Sequence, residues 1–233
     1  MTTRASSTTT GTEPSRHAPP PDCPDCPRLA AFREAQRLSE PSWFNAPVPS
    51  FGPAHARLVV VGLAPGLRGA NRTGRPFTGD FAGTLLYPIL QAHGFARGTY
   101  GASPDDGFEL LDCRVCNAVR CVPPANRPTP AEIATCRRYL VGELTGPHAP
   151  AAILALGRVA HESTLRSLGL TPRRYPFAHG AWHELPSGQL LAASFHTSRY
   201  NVNTGRLTEA MFDAVVAALA ARLSSPQADR GRG

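Results

Sequence analysis

The chain has 233 residues, with 42% hydrophobic and 18% charged side chains and a formal net charge of +7. This length and apolar content suit one domain with a sizeable core. All 24 basic residues are arginine, so chemistry that needs a lysine, such as a P-loop or a lysine Schiff base, is excluded. The positive surplus is compatible with a polyanionic partner, but alone it does not identify one.

Both ends of the chain differ in composition from its middle. Residues 1–20 are rich in Thr, Ser, Pro and Gly and nearly free of apolar side chains, and residues 224–233 are similarly polar. We therefore expect disordered tails at 1–20 and 224–233 around one folded domain at 21–223. The first residues lack a signal-peptide pattern and no apolar run is long enough for a membrane, so we expect a cytoplasmic protein with no membrane partner.

Short apolar runs alternate with helical patterns along the rest of the chain. Strands are predicted at Leu58–Gly62, 110–121, 151–156 and 190–195. Helices are predicted at 28–38, 84–93, 130 to about 144, 157–167 and 208–223. Thr129 and Glu132 form a capping-box pattern, and Pro88 predicts a kink or a late start of its helix. The alternation indicates an α/β fold, a three-layer α/β/α sandwich around a central four-stranded parallel sheet.

Three of the predicted strands lead to polar side chains. The first strand runs into a loop at 62–80 with the sequence GLAPGLRGANRTGRPFTGD, which ends on Asp80. The second strand leads to Asn117 and the fourth to His196. Because the carboxyl ends of parallel strands meet at one edge of a sheet, we expect these three side chains to form a single site. Each also has a structural interpretation, and Asp80 in particular could cap a helix that begins near Ala82.

The cysteines indicate a metal site, since disulfides are rare in the cytoplasm. Six are present, at positions 23, 26, 113, 116, 121 and 136. Cys113 and Cys116 have CxxC spacing but lie in a predicted strand, whose alternation directs them to opposite faces, so we expect them in the core. The expected ligands are the remaining four, Cys23, Cys26, Cys121 and Cys136. Four thiolates fit zinc and an iron–sulfur cluster equally well, and a set of free thiols is the alternative.

Four sequence blocks resemble those of the uracil-DNA glycosylase superfamily, and specifically its bacterial and archaeal family 5. The blocks are GLAPG at 62–66, GANRTGRPFTGD at 69–80, NAVRCVPPANRP at 117–128 and HTSRYNVNTG at 196–205. Their order and spacing make the resemblance specific, and it covers about residues 21–223. It implies the uracil-DNA glycosylase fold and a monofunctional enzyme of base-excision repair. Such an enzyme flips uracil out of DNA and hydrolyses its N-glycosidic bond.

The resemblance also implies catalytic and base-binding residues. Asp80 would position or activate water, and His196 would hydrogen-bond O2 of the base and stabilise negative charge on it. Phe77 would stack on the extruded base, and Asn117 would read its N3–H and O4. Gly62 and Leu63 of the first block would complete the base-binding set.

Further residues of the last block would contact DNA. Ser198 would bind a phosphate, Tyr200 occupies the position of the superfamily's wedge residue, and Arg199 lies beside it. The triplet His-Thr-Ser replaces the usual His-Pro-Ser of relatives. Gly66 stands where uracil-strict relatives carry a tyrosine, so hypoxanthine and 5-substituted or etheno-modified pyrimidines are further expected substrates.

By the same resemblance, the four cysteine ligands would hold a structural 4Fe-4S cluster without redox activity. The expected partner is DNA that contains uracil or other deaminated bases, and the expected state is a monomer in the bacterial cytoplasm, associated with the nucleoid. The alternatives are a family-4-like enzyme strict for uracil, a catalytically inactive Fe-S protein of this fold that binds nucleic acid, and a zinc-binding regulatory protein.

Overall fold

The computed structural model describes residues 18–225, and most of both predicted tails, 1–17 and 226–233, lies outside this range. The strands are β1 (Leu58–Gly62), β2 (Ala96–Arg97), β3 (Glu109–Leu110), β4 (Cys113–Asn117), β5 (Ala152–Leu156), β6 (Trp182–Glu184) and β7 (Leu190–Ser194). The α-helices are α1 (Pro27–Ser39), α2 (Ala70–Thr73), α3 (Phe81–Ala92), α4 (Pro130–Leu144), α5 (Arg158–Ser167), α6 (Arg199–Asn203) and α7 (Glu209–Ser224). Among the described residues, no helix has the length and apolarity needed to cross a membrane.

The central sheet has five strands in the order β4-β1-β5-β7-β6. β4, β1, β5 and β7 are parallel, as predicted, and β1, β4 and β5 are buried along their whole length. The prediction of four strands is corrected by β6, which pairs antiparallel with β7 at the sheet edge. β6 was missed because it has only three residues, none of them fully buried, so it carries no apolar periodicity.

Buried apolar side chains form one cluster on each face of this sheet. On one face α3 and α7 pack over Leu58 and Leu154, and on the other α4 and α5 pack over Val59 and Ile153. The three-layer α/β/α arrangement is thereby confirmed. Cys113 belongs to the first cluster and Cys116 to the second, so strand alternation separates these two buried thiols as expected.

The helix boundaries follow the capping signals of the sequence. In the capping box of α4, Thr129 Oγ1 accepts from Glu132 N at 3.2 Å, and Glu132 Oε2 accepts from Thr129 N at 2.7 Å. The late start predicted for α3 is wrong, since this helix begins at Phe81 with Pro88 inside it. The reason is Asp80, whose side chain accepts from Ala82 N at 3.1 Å and starts the helix early.

A buried ion pair holds the long loop after β1. The two Nη atoms of Arg75 donate to Asp106 at 2.8 and 2.7 Å, and Arg75 Nε donates to Thr78 Oγ1 at 2.8 Å. Burial alone would raise the pKa of Asp106, but hydrogen bonds from Arg75 and from backbone amides outweigh it and hold that pKa well below its ordinary value. The guanidinium also lies 5.0 Å from the ring centre of Phe51. These contacts fix the loop segment that carries Phe77.

We expect Asp106→Asn to lower the free energy of unfolding by roughly 3 kcal/mol, because it leaves a buried guanidinium without its counter-charge. The matched control is Glu109→Gln, which removes the acid of the Arg97–Glu109 pair, whose side chains are 68% and 45% exposed. The control should change stability by less than about 1 kcal/mol. Urea unfolding followed by circular dichroism measures both, and equal effects would contradict the structural importance of the Asp106 pair.

Candidate active site

A pocket lies at the carboxyl ends of β1, β4 and β7. Its lining residues are Ala64, Pro65, Gly66, Ala70, Phe77, Asp80, Ala82, Asn117 and His196. Three chemically distinct side chains, a carboxylate, an amide and an imidazole, therefore reach one pocket from segments that are far apart in sequence. This pocket is the candidate active site.

Phe77 and His196 form an aromatic pair in the pocket. Their ring centres are 5.7 Å apart and their planes differ by 26°. Phe77 has a φ of 52°, a left-handed conformation that is uncommon for a residue other than glycine. A Cβ at Gly62 would lie 2.5 Å from Phe77 Cζ and 2.4 Å from Asn117 Oδ1. Glycine at position 62 is therefore required for both side chains to occupy their places.

Asn117 closes β4 directly opposite Gly62, the last residue of β1. The pairing continues past both strands, because Ala118 N donates to Gly62 O and Val119 N donates to Leu63 O, each at 2.9 Å. Asn117 is 3% exposed, and its Oδ1 lies against Gly62. Gly62 and Leu63, predicted to bind the base, are not among the described residues that line the pocket, and Leu63 contributes its carbonyl to the pairing.

The two carboxylate oxygens of Asp80 have different surroundings. Oδ1 caps α3 through Ala82 N. Oδ2 faces two glycines, since a Cβ at Gly66 or Gly69 would lie 2.9 or 2.4 Å from it. Burial raises the pKa of Asp80, and backbone hydrogen bonds from Ala82 and Gly83 oppose this in part. The helix-cap interpretation and the functional one are therefore compatible, because each uses a different oxygen.

His196 follows β7, and neighbouring side chains hold its backbone and that of Phe195 in place. Asn201 Nδ2 donates to His196 O at 2.8 Å. The preceding Phe195 stacks on His179, with ring centres 5.2 Å apart, and the Arg206 guanidinium lies 4.5 Å from its ring centre. Burial lowers the pKa of His196 to about 4. At neutral pH the imidazole is therefore uncharged and can donate one hydrogen bond from a ring N–H.

The three residues predicted to contact DNA lie at the start of α6. Ser198 Oγ accepts from Asn201 N at 3.4 Å and caps this helix, which leaves its hydroxyl hydrogen for another partner. The Arg199 guanidinium lies 5.4 Å from the ring centre of Phe81. Tyr200 is 71% exposed.

Some site residues gave no signal in the sequence. Ala70 and Ala82 line the pocket, but alanine carries no recognisable chemistry. Tyr100 lies outside every predicted element, yet its hydroxyl donates to Phe77 O at 3.0 Å and supports the left-handed residue. A Cβ at Gly83 would lie 1.7 Å from the same carbonyl oxygen, so this glycine is equally required. Only the three-dimensional contacts identify these supports.

The four predicted ligand cysteines meet at a second location, between α1 and α4. Cys23, Cys26, Cys121 and Cys136 line one cavity. Burial raises the pKa of the Cys26 thiol to about 11 and that of Cys121 to about 12. Burial also raises the pKa of Cys136. Donors oppose the effect of burial at two of these thiols, because Arg120 N donates to Cys136 Sγ at 3.3 Å and Arg33 Nη1 lies 3.9 Å from Cys121 Sγ. The donor set fits a positively charged inorganic group. Within residues 18–225, no three His, Cys, Asp or Glu side chains already converge as a single-ion site.

Comparisons with known proteins give matches to one family. Residues 49–220 match the family model of the uracil DNA glycosylase superfamily. The chain is 46% identical over 196 residues to the type-5 uracil-DNA glycosylase of Thermus thermophilus, covering 82% of this chain and 89% of that protein. It is 41% identical over 191 residues to the type-5 enzyme of Pyrobaculum aerophilum, with 80% and 83% covered. The type-4 uracil-DNA glycosylase of Thermotoga maritima is 38% identical over 110 residues, which is 47% of this chain and 49% of that protein.

We expect the His196 imidazole to titrate near pH 4, because its burial disfavours the charged form. Long-range 1H–15N NMR measures the protonation of both ring nitrogens, and His196→Gln assigns the signal by its disappearance. At pH 6 the spectrum should show one protonated and one bare nitrogen. A titration midpoint at or above 6.5 would contradict the neutral imidazole.

Proposed function

Because this chain belongs to the uracil-DNA glycosylase superfamily, we propose that it is a monofunctional DNA glycosylase that releases uracil from DNA in base-excision repair. The observation that carries the proposal is the pocket shared by Asp80, Asn117 and His196. The reaction is a hydrolysis of the N-glycosidic bond. The chain has no lysine to form an imine with the sugar, which supports water as the nucleophile.

The proposed chemistry is mainly the placement of charge. Breaking the N-glycosidic bond creates an oxocarbenium-like sugar and an anionic base. Asp80 Oδ2, the oxygen not used in capping, positions water and stabilises the positive sugar. The neutral His196 imidazole donates to O2 of the base, where negative charge develops. Both groups are partly withdrawn from water, which strengthens their electrostatic effect.

Base recognition is assigned to Asn117 and Phe77. The Asn117 amide accepts from uracil N3–H and donates to O4, and cytosine presents the opposite pattern at these two atoms. The Phe77 ring stacks on the base. A leaving uracil that is held by an amide, an imidazole and an aromatic ring is distinguished from cytosine by hydrogen bonds alone, since the two bases have nearly the same shape.

The broader specificity is a further part of the proposal. Any side chain at Gly66 would enter the pocket beside Asp80, because a Cβ there would already be 2.9 Å from Oδ2. The missing side chain supports acceptance of hypoxanthine and of 5-substituted or etheno-modified pyrimidines. The type-5 relatives align with most of the chain and the type-4 relative with about half, which favours this reading over a family-4-like enzyme strict for uracil.

Contact with the DNA backbone and the base stack is assigned to the start of α6. Extruding a nucleotide costs a few kcal/mol, so a side chain that fills the vacated stack favours the flipped state. The exposed Tyr200 is suited to this, with Arg199 beside it. Ser198 retains a hydroxyl hydrogen that can be donated to a phosphate. We propose a monomer with a single domain at 21–223 that acts on DNA in the bacterial cytoplasm, at the nucleoid.

The cysteine cavity is proposed to hold a 4Fe-4S cluster. The four thiols line one cavity, and the N–H donors from Arg120 and Arg33 reach two of the sulfurs, as anionic thiolates require. When bound, the cluster would cross-link the segment before α1, the loop after β4 and α4. The candidate active site uses none of these cysteines, which supports a structural cluster.

We expect Asp80→Asn to reduce single-turnover release of uracil by roughly 100-fold or more, while duplex affinity stays within about twofold. Asparagine caps a helix as well as aspartate does, so stability should be retained. The measurement is base release from duplexes that contain uracil, hypoxanthine, 5-hydroxymethyluracil or etheno-cytosine. Release of uracil alone would favour the family-4-like enzyme that is strict for uracil. If the unmodified protein released no base, the alternative of a catalytically inactive protein that binds nucleic acid would be favoured.

Cys121→Ser should abolish a brown colour and reduce the iron and acid-labile sulfide bound per chain, because it removes one of the four proposed ligands. The matched control is Cys116→Ala, which removes a fully buried thiol that lies in the core instead of the cysteine cavity. This control should retain the colour and the iron. Zinc without sulfide in the purified protein would contradict the cluster and favour the zinc alternative.

A further inference from the structure

A second groove lies across α2 from the candidate active site. Its lining includes Trp43, Phe44, Arg72 and Thr73. Ala70 of α2 lines the active-site pocket, whereas the other end of the same short helix supplies Arg72 and Thr73 to the groove. Phe44 is 43% exposed, one of few large apolar side chains left open to solvent. The groove therefore combines an exposed ring with a guanidinium.

The three arginines of the loop at 62–80 differ in their partners. Arg75 is buried against Asp106. Arg68 and Arg72 are exposed, and neither has a carboxylate within 4.0 Å among residues 18–225. A Cβ at Gly79 would lie 2.9 Å from Arg72 Nη2. An uncompensated positive charge thus lies against the residue that precedes Asp80.

The groove is rigidly joined to the active-site loop. Phe44 N donates to Arg72 O at 3.0 Å, and Asn45 N donates to Asn71 O at 3.1 Å. Asn71 Nδ2 also donates to Asn45 Oδ1 at 2.8 Å, between two buried side chains. The wall that carries Phe44 is therefore fixed relative to α2 and to the pocket on its other side. A ligand that spans both places would meet a preorganised surface.

We propose that this groove binds DNA next to the target nucleotide, with a phosphate on Arg72 and a flanking base or sugar on the ring of Phe44. The proposal rests on the proposed DNA glycosylase activity. Phosphates supply the negative charge that Arg72 lacks within the chain, and aromatic faces accept bases without regard to sequence. A nucleotide in the pocket would bring its own neighbours to this side of α2, because the Arg72 guanidinium lies against Gly79, which precedes Asp80 in the chain.

The test measures affinity for duplexes that carry 2′-fluoro-2′-deoxyuridine, whose fluorine disfavours the oxocarbenium-like transition state and so prevents cleavage. One duplex has long flanks, and two others are each shortened on one side. The variants are Arg72→Ala and Phe44→Leu. The matched control is Arg97→Ala, an exposed arginine that is paired with Glu109. Affinities are measured by fluorescence anisotropy over a salt series.

Arg72→Ala should weaken binding of the long duplex about 10-fold and reduce the slope of log Kd against log salt by about 1, the value for one phosphate contact. Phe44→Leu should weaken binding roughly fivefold with the slope unchanged. Shortening one flank should weaken the unmodified protein similarly and leave Arg72→Ala unaffected, since the contact is already lost. The control should match the unmodified protein throughout.

Two results would contradict the proposal that the groove binds DNA. One is wild-type affinity and salt slope in both variants, which would indicate that the groove binds a protein instead of DNA. The other is an equal loss on long and shortened duplexes, which would indicate general damage to the loop. Failure of the glycosylase proposal is a separate result: the unmodified protein would release no uracil from an unmodified duplex, yet its binding would still depend on the flank and that of Arg72→Ala would not.

Discussion

The register between β1 and β4 is the constraint on which the candidate active site depends. It places Gly62 opposite Asn117, and the pairing extends through Leu63 and Val119 before the two chains diverge. A slip by one residue would turn every side chain of a strand to the other face. The missing side chain at Gly62 then leaves a space that Phe77 and Asn117 both enter. The aromatic ring and the amide are thus positioned by backbone pairing and by an absent Cβ.

Glycines around Asp80 extend the same principle. Gly66 and Gly69 approach Oδ2 so closely that a methyl group at either position would displace the carboxylate. Gly83 packs in the same way against the carbonyl of Phe77. The loop is rich in glycine because three functional groups pack directly against its backbone, and its rigidity comes from the buried Arg75 ion pair. The loop is therefore rigid even though glycine is the most flexible residue type.

The sequence predicted the parts of this arrangement that leave a local pattern. Apolar runs identified the four parallel strands, and strand alternation separated Cys113 from Cys116. The meeting of Asp80, Asn117 and His196 followed from parallel strands having a common edge. β6 was missed because three partly buried residues carry no period, and the early start of α3 was missed because the Asp80 cap outweighs the preference of Pro88 for the first turn.

Other features could not be predicted from one sequence, since they depend on partners far apart in the chain. Nothing local marks Asp106 as the counter-charge of Arg75, or distinguishes Arg75 from Arg68 and Arg72, which have no carboxylate partner among residues 18–225. The three arginines look alike in the sequence, and only the fold assigns one to the interior. Burying the Arg75 guanidinium requires compensating partners, and the buried Asp106 supplies them.

The segment from Asn117 to Cys121 joins the candidate active site to the cysteine cavity, and so connects the proposed structural cluster to the proposed base-reading amide. Between them lies Arg120, which is buried and bonded to Glu143 through its guanidinium and to Cys136 through its N–H. Burial alone would raise the pKa of Glu143, but Arg120 and Arg114 lower it from 4.5 to about 2, so this carboxylate contributes stability above pH 4.5 that is lost as the pH falls towards 2. A group bound by Cys121 would therefore hold one end of a segment whose other end is the amide proposed to read the base. The cysteine cavity can in this way affect specificity through position alone.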